Sequence, residues 1–538
     1  MSARASAQWH GVAGCASPTR PRFATAAVVA LAVFFWFAFT AGLRPLMLPD
    51  EGRYVGVAWE MLRSGDWLTP TLDGLPYFHK PPLFYWITAS SLGLFGLNEW
   101  AARLAPVLGA TIGALALHGL VRRWASERQA RATLAALLAQ PLFFLGGQFA
   151  NLDMLVAGCI TATIALFAHA ALCEESGRPS RRALVAAYGM AALGLLAKGL
   201  IGFVLPALVI GAWLLARGRW RTLRALWSWP GAAVFLLLGA PWFVAMQSRF
   251  PDFLDYFFVV QHFKRFAAAG FNNVQPFWFY PALLVLFCLP WAPWLLGLLL
   301  RRPPTATGAA GSLRLLMALW VGVVVLFFSL PASKLVGYVL PALPALAFLI
   351  ADGYTAAASG RLRQRLWIGG ALLALVLNAV AVGWLATHPL KSSRALALAL
   401  LERQRGSEPV VMLEDYYFDV PFYAALRRPA VVVDAWTSPD IARHDNWRKE
   451  LADAAAFDPA GAATTLLDHG DLPKLLCGAP TGWLLGTTAA ATTHPFLAAA
   501  QRVATQGATS LWRIDARVPA VFTALGCAGR PSVDSASR

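Results

Sequence analysis

Asp50 and Glu51 are adjacent carboxylates, Arg53 and Tyr54 follow them, and the turn Tyr77-Phe78-His79-Lys80-Pro81-Pro82 lies further along the same polar interval. A carboxylate can orient an acceptor or take its proton, and lysine, arginine and tyrosine donors can hold the oxygens of an anionic leaving group. Together in one polar interval, these residue types are what an active site at a membrane surface would require. Elsewhere the ionisable residues that interrupt apolar sequence are sparse: Asp153 beside Asn151, Lys198, His262 with Lys264-Arg265, and Lys334 four positions before Tyr338. A charge at membrane depth is costly and usually lines a cavity or pathway, so their recurrence is informative.

Composition sets the elements that must position these groups. The 538 residues are 58% hydrophobic and 14% charged, with a mean hydropathy of +0.55. This predicts a multi-pass α-helical membrane protein. The net charge of +17 is spread over short arginine clusters between apolar runs, with no basic arm, so the reading is no nucleic acid partner. Cys15, Cys159, Cys173 and Cys288 are scattered without metal-ligand spacing, whereas Cys477 and Cys527 either pair or stay as two buried thiols.

Arg4, Arg20 and Arg22 precede an apolar run over 23–43 that is too long for a cleaved leader. Further runs near 103–121, 132–149, 152–172, 183–197, 199–216, 229–246, 277–300, 313–331, 334–351 and 366–386 bring the expected spans to about eleven. Short or re-entrant segments around 84–97 raise that to 11–13. Arginine clusters at 122–131, 178–182, 217–224, 301–314 and 361–365 fall in alternate gaps, on the same side as the N-terminus. Positive charge is retained in the cytoplasm. The large loop 44–102, Asp153, Lys198, the loop 248–276, Lys334 and everything after 387 are therefore expected on the outer face. The predicted organisation is a membrane domain over 1–387 and an outer domain over 388–538.

Each candidate has a plainer reading. Tyr54, Ala58, Met61 and Leu62 have the spacing of an amphipathic helix at the interface, and Asp50 sits where it would cap that helix, with Glu51 complementing the dipole. Lys80 and Lys334 can snorkel to the interface, and Lys264-Arg265 can contact lipid headgroups. Lys334 and Tyr338, four apart, are expected on one helix face where they could hold a phosphate oxygen. Asp153 has no evident solvation role between two long apolar runs.

Taken in order, Pro49-Asp50-Glu51, Arg53-Tyr54, Tyr77-Phe78-His79-Lys80-Pro81-Pro82-Leu83, Asn151-Leu152-Asp153, Ala197-Lys198-Gly199 and Ser333-Lys334-Leu335-Val336-Gly337-Tyr338-Val339-Leu340-Pro341 resemble the aminoarabinose transferase branch of the membrane glycosyltransferases. That branch is related to the protein O-mannosyltransferases. The resemblance covers about the first 350 residues. It implies a GT-C membrane bundle with a C-terminal periplasmic domain in the bacterial inner membrane. The implied activity is sugar transfer from a polyprenyl (undecaprenyl) phosphate carrier, with 4-amino-4-deoxy-L-arabinose a possible sugar and lipid A or another envelope glycolipid as acceptor. It implies Asp50 and Asp153 as catalytic acids, and Glu51, Arg53, Tyr54, Tyr77, Lys80, Lys198, Arg265, Lys334 and Tyr338 as substrate contacts. His79 stands where the family often has Glu, and Val336 where it often has Pro. No cofactor is required by the sequence, and a divalent metal stays open, with His79 and His262 as its candidates. A transporter or flippase of lipid-linked sugars is the alternative reading.

After 388 the pattern changes to short buried strands around 408–413, 430–433, 482–485 and 510–514, with a helix near 447–457. This predicts an α/β domain with no hydrolase constellation.

Overall fold

The computed structural model describes residues 23–264, 273–300, 308–356, 360–389, 391–406 and 408–528. It divides into two units. The first comprises Met1–Ala41, Ala105–Val244 and Asn273–Gly383; the second comprises Gly42–Leu104, Ala245–Asn272 and Trp384–Arg538. The tail therefore shares a unit with the first polar loop, and a simple division at 388 does not describe it.

Six described helices are long and apolar enough to cross a membrane: Leu104–Trp124, Leu152–Glu175, Trp229–Arg249, Ala309–Ser329, Val336–Thr355 and Arg361–Thr387. Phe279–Phe287 and Leu289–Gly297, bent by 63°, form a seventh if counted as one broken span. By this measure the spans are fewer than the eleven expected. The apolar run 132–149 splits at Gln140-Pro141 into Glu127–Ala139 and Pro141–Gly146. Proline lacks the amide donor that a continuous helix would need there. Ile201–Ala216 is apolar but shorter.

Within the first unit, Leu104–Trp124 packs directly on Leu152–Glu175. A Cβ on Gly158 would lie 2.1 Å from the Gly109 carbonyl oxygen, so only glycine allows the two backbones to meet. Several of the arginines read as topology signals are also paired, among them Arg217 with Glu175 at 2.7 Å and Arg314 with Asp352 at 2.6 Å.

The second unit is built around the helix Asp50–Ser64. It is followed by a hairpin of β1 (Thr71–Leu72) and β2 (Leu75–Pro76), turned at Asp73 and Gly74 with φ of 53° and 80°. Two positive φ values in succession are the signature of the tight hairpin turn that the Asp-Gly pair favours. The buried Glu60 carboxylate holds that turn, accepting from Asp73 N at 2.8 Å and Gly74 N at 2.9 Å. The helix is not amphipathic in use. Val55 and Val57 are as buried as Tyr54, Ala58 and Met61, because the tail covers its other sides. Tyr423 Oη accepts from Leu46 N at 2.8 Å, and Arg63 donates to the Leu426 carbonyl at 2.8 Å.

The tail carries a six-stranded sheet from β3 (Val410–Leu413), β4 (Val431–Val433), β5 (Leu466–Leu467), β6 (Thr481–Thr487), β7 (Gln501–Gln506) and β8 (Thr509–Asp515). The spatial order is β5-β4-β3-β6-β8-β7. The first four are parallel, with Met412 opposite Val432 and Val411 opposite Leu484, and the last two are antiparallel. Fully buried strands explain the continuous Val and Leu runs. One face packs Val411, Leu413, Leu484, Trp512 and Ile514 against Leu472, Leu476 and Val521.

Cys477 and Cys527 form a disulfide with Cα atoms 5.6 Å apart, separated by 50 residues in sequence. Closing a loop of that length stabilises the folded chain by about 4 kcal/mol in the chain-entropy account. Reductant, or Cys477→Ser, is expected to lower the unfolding midpoint of the purified protein, and an unchanged midpoint would remove the disulfide's structural role. Cys159, Cys173 and Cys288 are buried thiols, while Cys15 lies outside the described residues.

Candidate active site

In the second unit, Pro49 occupies the cap position of the helix Asp50–Ser64 and makes no side-chain cap bond. Asp50 is therefore the first helical residue and does not cap. Its side chain is 35% exposed and is ion-paired to Arg53 one turn on. Arg53 in turn pairs with Glu450 from the helix Trp447–Ala455, and Tyr77 Oη donates to the other Glu450 oxygen at 3.4 Å. Burial works against the Arg53 charge, but Glu450 and its tyrosine neighbours hold the guanidinium firmly protonated. The guanidinium lies 4.9 Å from the Tyr54 ring centroid. The result is a relay of Asp50, Arg53, Glu450 and Tyr77 in which only Asp50 offers an open carboxylate edge.

Glu51, expected among the substrate contacts, is placed differently. It is fully buried and held by Arg103 at 2.8 and 3.0 Å, Arg44 at 3.2 Å and Met47 N at 2.9 Å. Burial alone would raise its pKa, but Arg103 and Arg44 bring the carboxyl down to about 2. Neighbouring carboxylates in sequence thus have opposite settings, one enclosed and one open.

His79 stacks on Tyr77 with ring centroids 4.6 Å apart, and its Nε2 lies 3.8 Å from Asp453. Tyr256 Oη donates to the same aspartate at 3.0 Å. Lys80 follows, half-buried, in the turn leading to the helix Leu83–Phe95. The side chain of His262 and the whole of Arg265 lie outside the described residues.

The first unit holds a second group. Asn151 caps the helix Leu152–Glu175 by accepting from Asp153 N at 2.9 Å, and its Nδ2 donates to Asp153 Oδ2 at 3.0 Å. Lys198 is ion-paired to the other Asp153 oxygen, and its Nζ lies 4.5 Å from the Tyr338 ring centroid. Three separate sequence motifs thus meet at Asp153. A Cβ on Gly337 would fall 2.2 Å from Asp153 Oδ2, so this glycine is required by the aspartate. Gly337→Ala is expected to displace Asp153 and weaken its pairing with Lys198 while leaving the helices in place. Activity should fall at least tenfold, about 1.4 kcal/mol of transition-state stabilisation, with an unchanged melting profile. Full activity would exclude a role for the Asp153 position.

Lys334 corrects its expected placement. It lies before the 3-10 helix Val336–Ala342, so the helical one-face relation to Tyr338 does not hold. Its ammonium donates to the carbonyls of Pro331 at 2.6 Å, Gln275 at 2.8 Å and Ala332 at 3.5 Å. An ammonium has three donors, so Lys334 is a clasp joining 331–334 to the 273–275 segment and not a phosphate contact in this arrangement. Its backbone supports the same join, Lys334 N donating to Asn273 O at 3.0 Å. Glu450, Asp453, Arg44 and Arg103 were not found by reading the sequence. Arg103 had a local signal, a lone arginine at the head of an apolar run; Glu450 had none.

Residues 79–244 match the family model of dolichyl-phosphate-mannose-protein mannosyltransferase. The chain is 34% identical over 424 residues to the undecaprenyl phosphate-α-4-amino-4-deoxy-L-arabinose arabinosyl transferase of Pseudomonas aeruginosa PAO1, covering 76% of this chain and 69% of that one. The chain belongs to this transferase family. A relative of the same name from Sodalis glossinidius is 36% identical over 63% of this chain, and the match spans only 60% of that relative's length. The fold is similar to the crystal structure of ArnT from Cupriavidus metallidurans bound to undecaprenyl phosphate, with a TM-score of 0.76 and 25% identity over 91% of this chain and 97% of that one. The protein is thus a multi-pass membrane protein with the GT-C fold of the family, as the residues quoted above led us to expect.

Proposed function

We propose that this chain transfers a sugar, 4-amino-4-deoxy-L-arabinose in the first instance, from undecaprenyl phosphate to lipid A or another envelope glycolipid. The observation that carries the reading is the fold likeness over 97% of an ArnT crystallised with undecaprenyl phosphate. The alternating arginine clusters support an outer, periplasmic orientation of the first loop and tail.

In the reaction the sugar C1–O bond to the carrier phosphate breaks, a bond from C1 to the acceptor oxygen forms, and undecaprenyl phosphate leaves. Asp50 accepts the proton of a hydroxyl acceptor. A phosphate acceptor is already ionised, and Asp50 then orients it or stabilises positive charge on the sugar. Arg53 keeps Asp50 aimed, and Glu450 with Tyr77 keeps Arg53 in place. Asp153 holds Lys198 over Tyr338, a cation suited to carrier phosphate; Lys80 and Arg265 are proposed as further cationic substrate contacts. Tyr54 lines the acceptor side. Glu51 is a positioning residue.

The test is turnover in lipid nanodiscs with undecaprenyl phosphate-linked aminoarabinose and lipid A, following release of undecaprenyl phosphate. Acceptor-dependent release is expected. No consumption across a range of linked sugars, with translocation of the donor instead, would favour the flippase reading.

A further inference from the structure

We propose that Glu414, His469 and His494 form a divalent transition-metal site in the tail, separate from the candidate catalytic residues. Among the described residues this is the one cluster of three His, Cys, Asp or Glu side chains with ligand atoms all within 4.8 Å of one another. The Glu414 carboxylate lies 3.8 Å from His469 Nε2 and 4.0 Å from His494 Nε2. The two imidazoles stack with centroids 5.7 Å apart at 18°. Zinc bonds of about 2.0–2.1 Å in a tetrahedron set ligand atoms roughly 3.4 Å apart, so the carboxylate needs to close on each imidazole by only about 0.5 Å, and the imidazole nitrogens on each other by at most about 1.4 Å.

Topology gives the cluster a reason to exist. β3, β4, β5 and β6 are parallel, so their carboxyl ends lie along one edge of the sheet. The chain leaves β3 to one side for β4 and β5, then returns to the other side for β6. Ligands of open parallel sheets bind outside the carboxyl ends of the strands at such a reversal. Glu414 directly follows β3, His469 follows β5, and His494 lies in the connection after β6. Three loops that are distant in sequence thus deliver one donor each to the same place.

Local chemistry points the same way. Glu414 has φ of 58°, a conformation costly for a residue with a side chain, and it is pinned there by Glu414 N donating to Val433 O at 2.8 Å. Other acids at this edge are already engaged, Asp434 with Arg448 at 2.9 Å and Asp468 with Trp436 N at 3.0 Å. Glu414 has no such cation among the described residues; the groups facing it are the two imidazoles. A donor set of two imidazoles and one carboxylate suits zinc or a similar borderline ion, leaving a fourth position for water or a small ligand. Side-chain exposures of 45% for Glu414, 39% for His469 and 17% for His494 leave an entry path.

The experiment is zinc titration of the full-length protein in detergent after chelator stripping, in competition with a chromophoric chelator. Wild type is expected to bind one equivalent that Glu414→Gln and His469→Asn each weaken at least about tenfold, since losing a supporting partner alone costs that much. The double variant should lose that equivalent entirely. Both residues are exposed, so melting in chelator should match wild type; a zinc bound near His79 would be a separate equivalent unaffected by these changes. Zinc binding of unchanged stoichiometry and affinity in the double variant, or none in wild type, overturns the proposal.

Discussion

Asp50→Asn is expected to lower turnover of the lipid-linked sugar by about 10²–10⁴-fold, the range that a positioned proton acceptor contributes. The substitution keeps shape and removes charge. Arg53 retains Glu450 as its partner, so the relay behind the site should survive, and with it the fold and the KM for the donor. The effect should therefore fall on kcat. Its size also reports the acceptor: a hydroxyl acceptor needs its proton removed, whereas a phosphate acceptor does not, and the loss would then sit near the lower end. Single-turnover release of undecaprenyl phosphate by folded, membrane-inserted variant protein is the measurement. Wild-type rates would move the chemistry away from Asp50.

The second large effect is on stability. Glu51→Ala strands two buried arginines without their common partner, and breaking a buried pair from one side costs about 3–5 kcal/mol. Glu51→Gln should lie between this and wild type because it keeps shape and one acceptor. The same clamp predicts a pH dependence. The folded carboxyl is near 2 against an ordinary 4.5, so the folded state binds fewer protons than the unfolded chain. Stability from this group is fully present above 4.5 and is lost as pH falls toward 2, about 3 kcal/mol in all. Melting of wild type and Glu51→Gln across that interval should converge at the acid end. A constant gap between them would contradict the assignment.

How much of this was legible beforehand follows from the range over which each signal acts. Composition and apolar runs set the membrane class, because burial in lipid is a property of whole segments. The Asp73-Gly74 turn and the Asp50, Arg53 and Tyr77 interval were readable because the groups lie close in sequence. The relay's remaining member, Glu450, is 397 residues from Arg53, and a buried ion pair leaves no local pattern. Lys334 was misplaced for a different reason: a four-residue spacing implies a shared face only inside a helix, and the helix starts after it. The helix Asp50–Ser64 looked half-exposed because its apolar stripe is only the part that faces its neighbours in the loop. The valines on its other side meet a tail that sequence spacing cannot bring near.

The separation between Arg53 and Glu450 also sets an order of events during synthesis. At about 5–20 residues per second, the tail helix emerges roughly 20–80 s after the first loop. During that interval Arg53, Tyr77 and Asp73 exist without Glu450 and Ala430, their later partners. The Glu51 clamp has no such delay, since Arg44 is 7 residues away and Arg103 only 52. It is positioned to hold the loop in register while the rest of the chain is made. A nascent chain arrested before the tail should therefore show the Glu51 clamp closed and the loop's outer surface open to chaperones. Chimeras between relatives should fold when loop and tail are exchanged together, and poorly when either is exchanged alone.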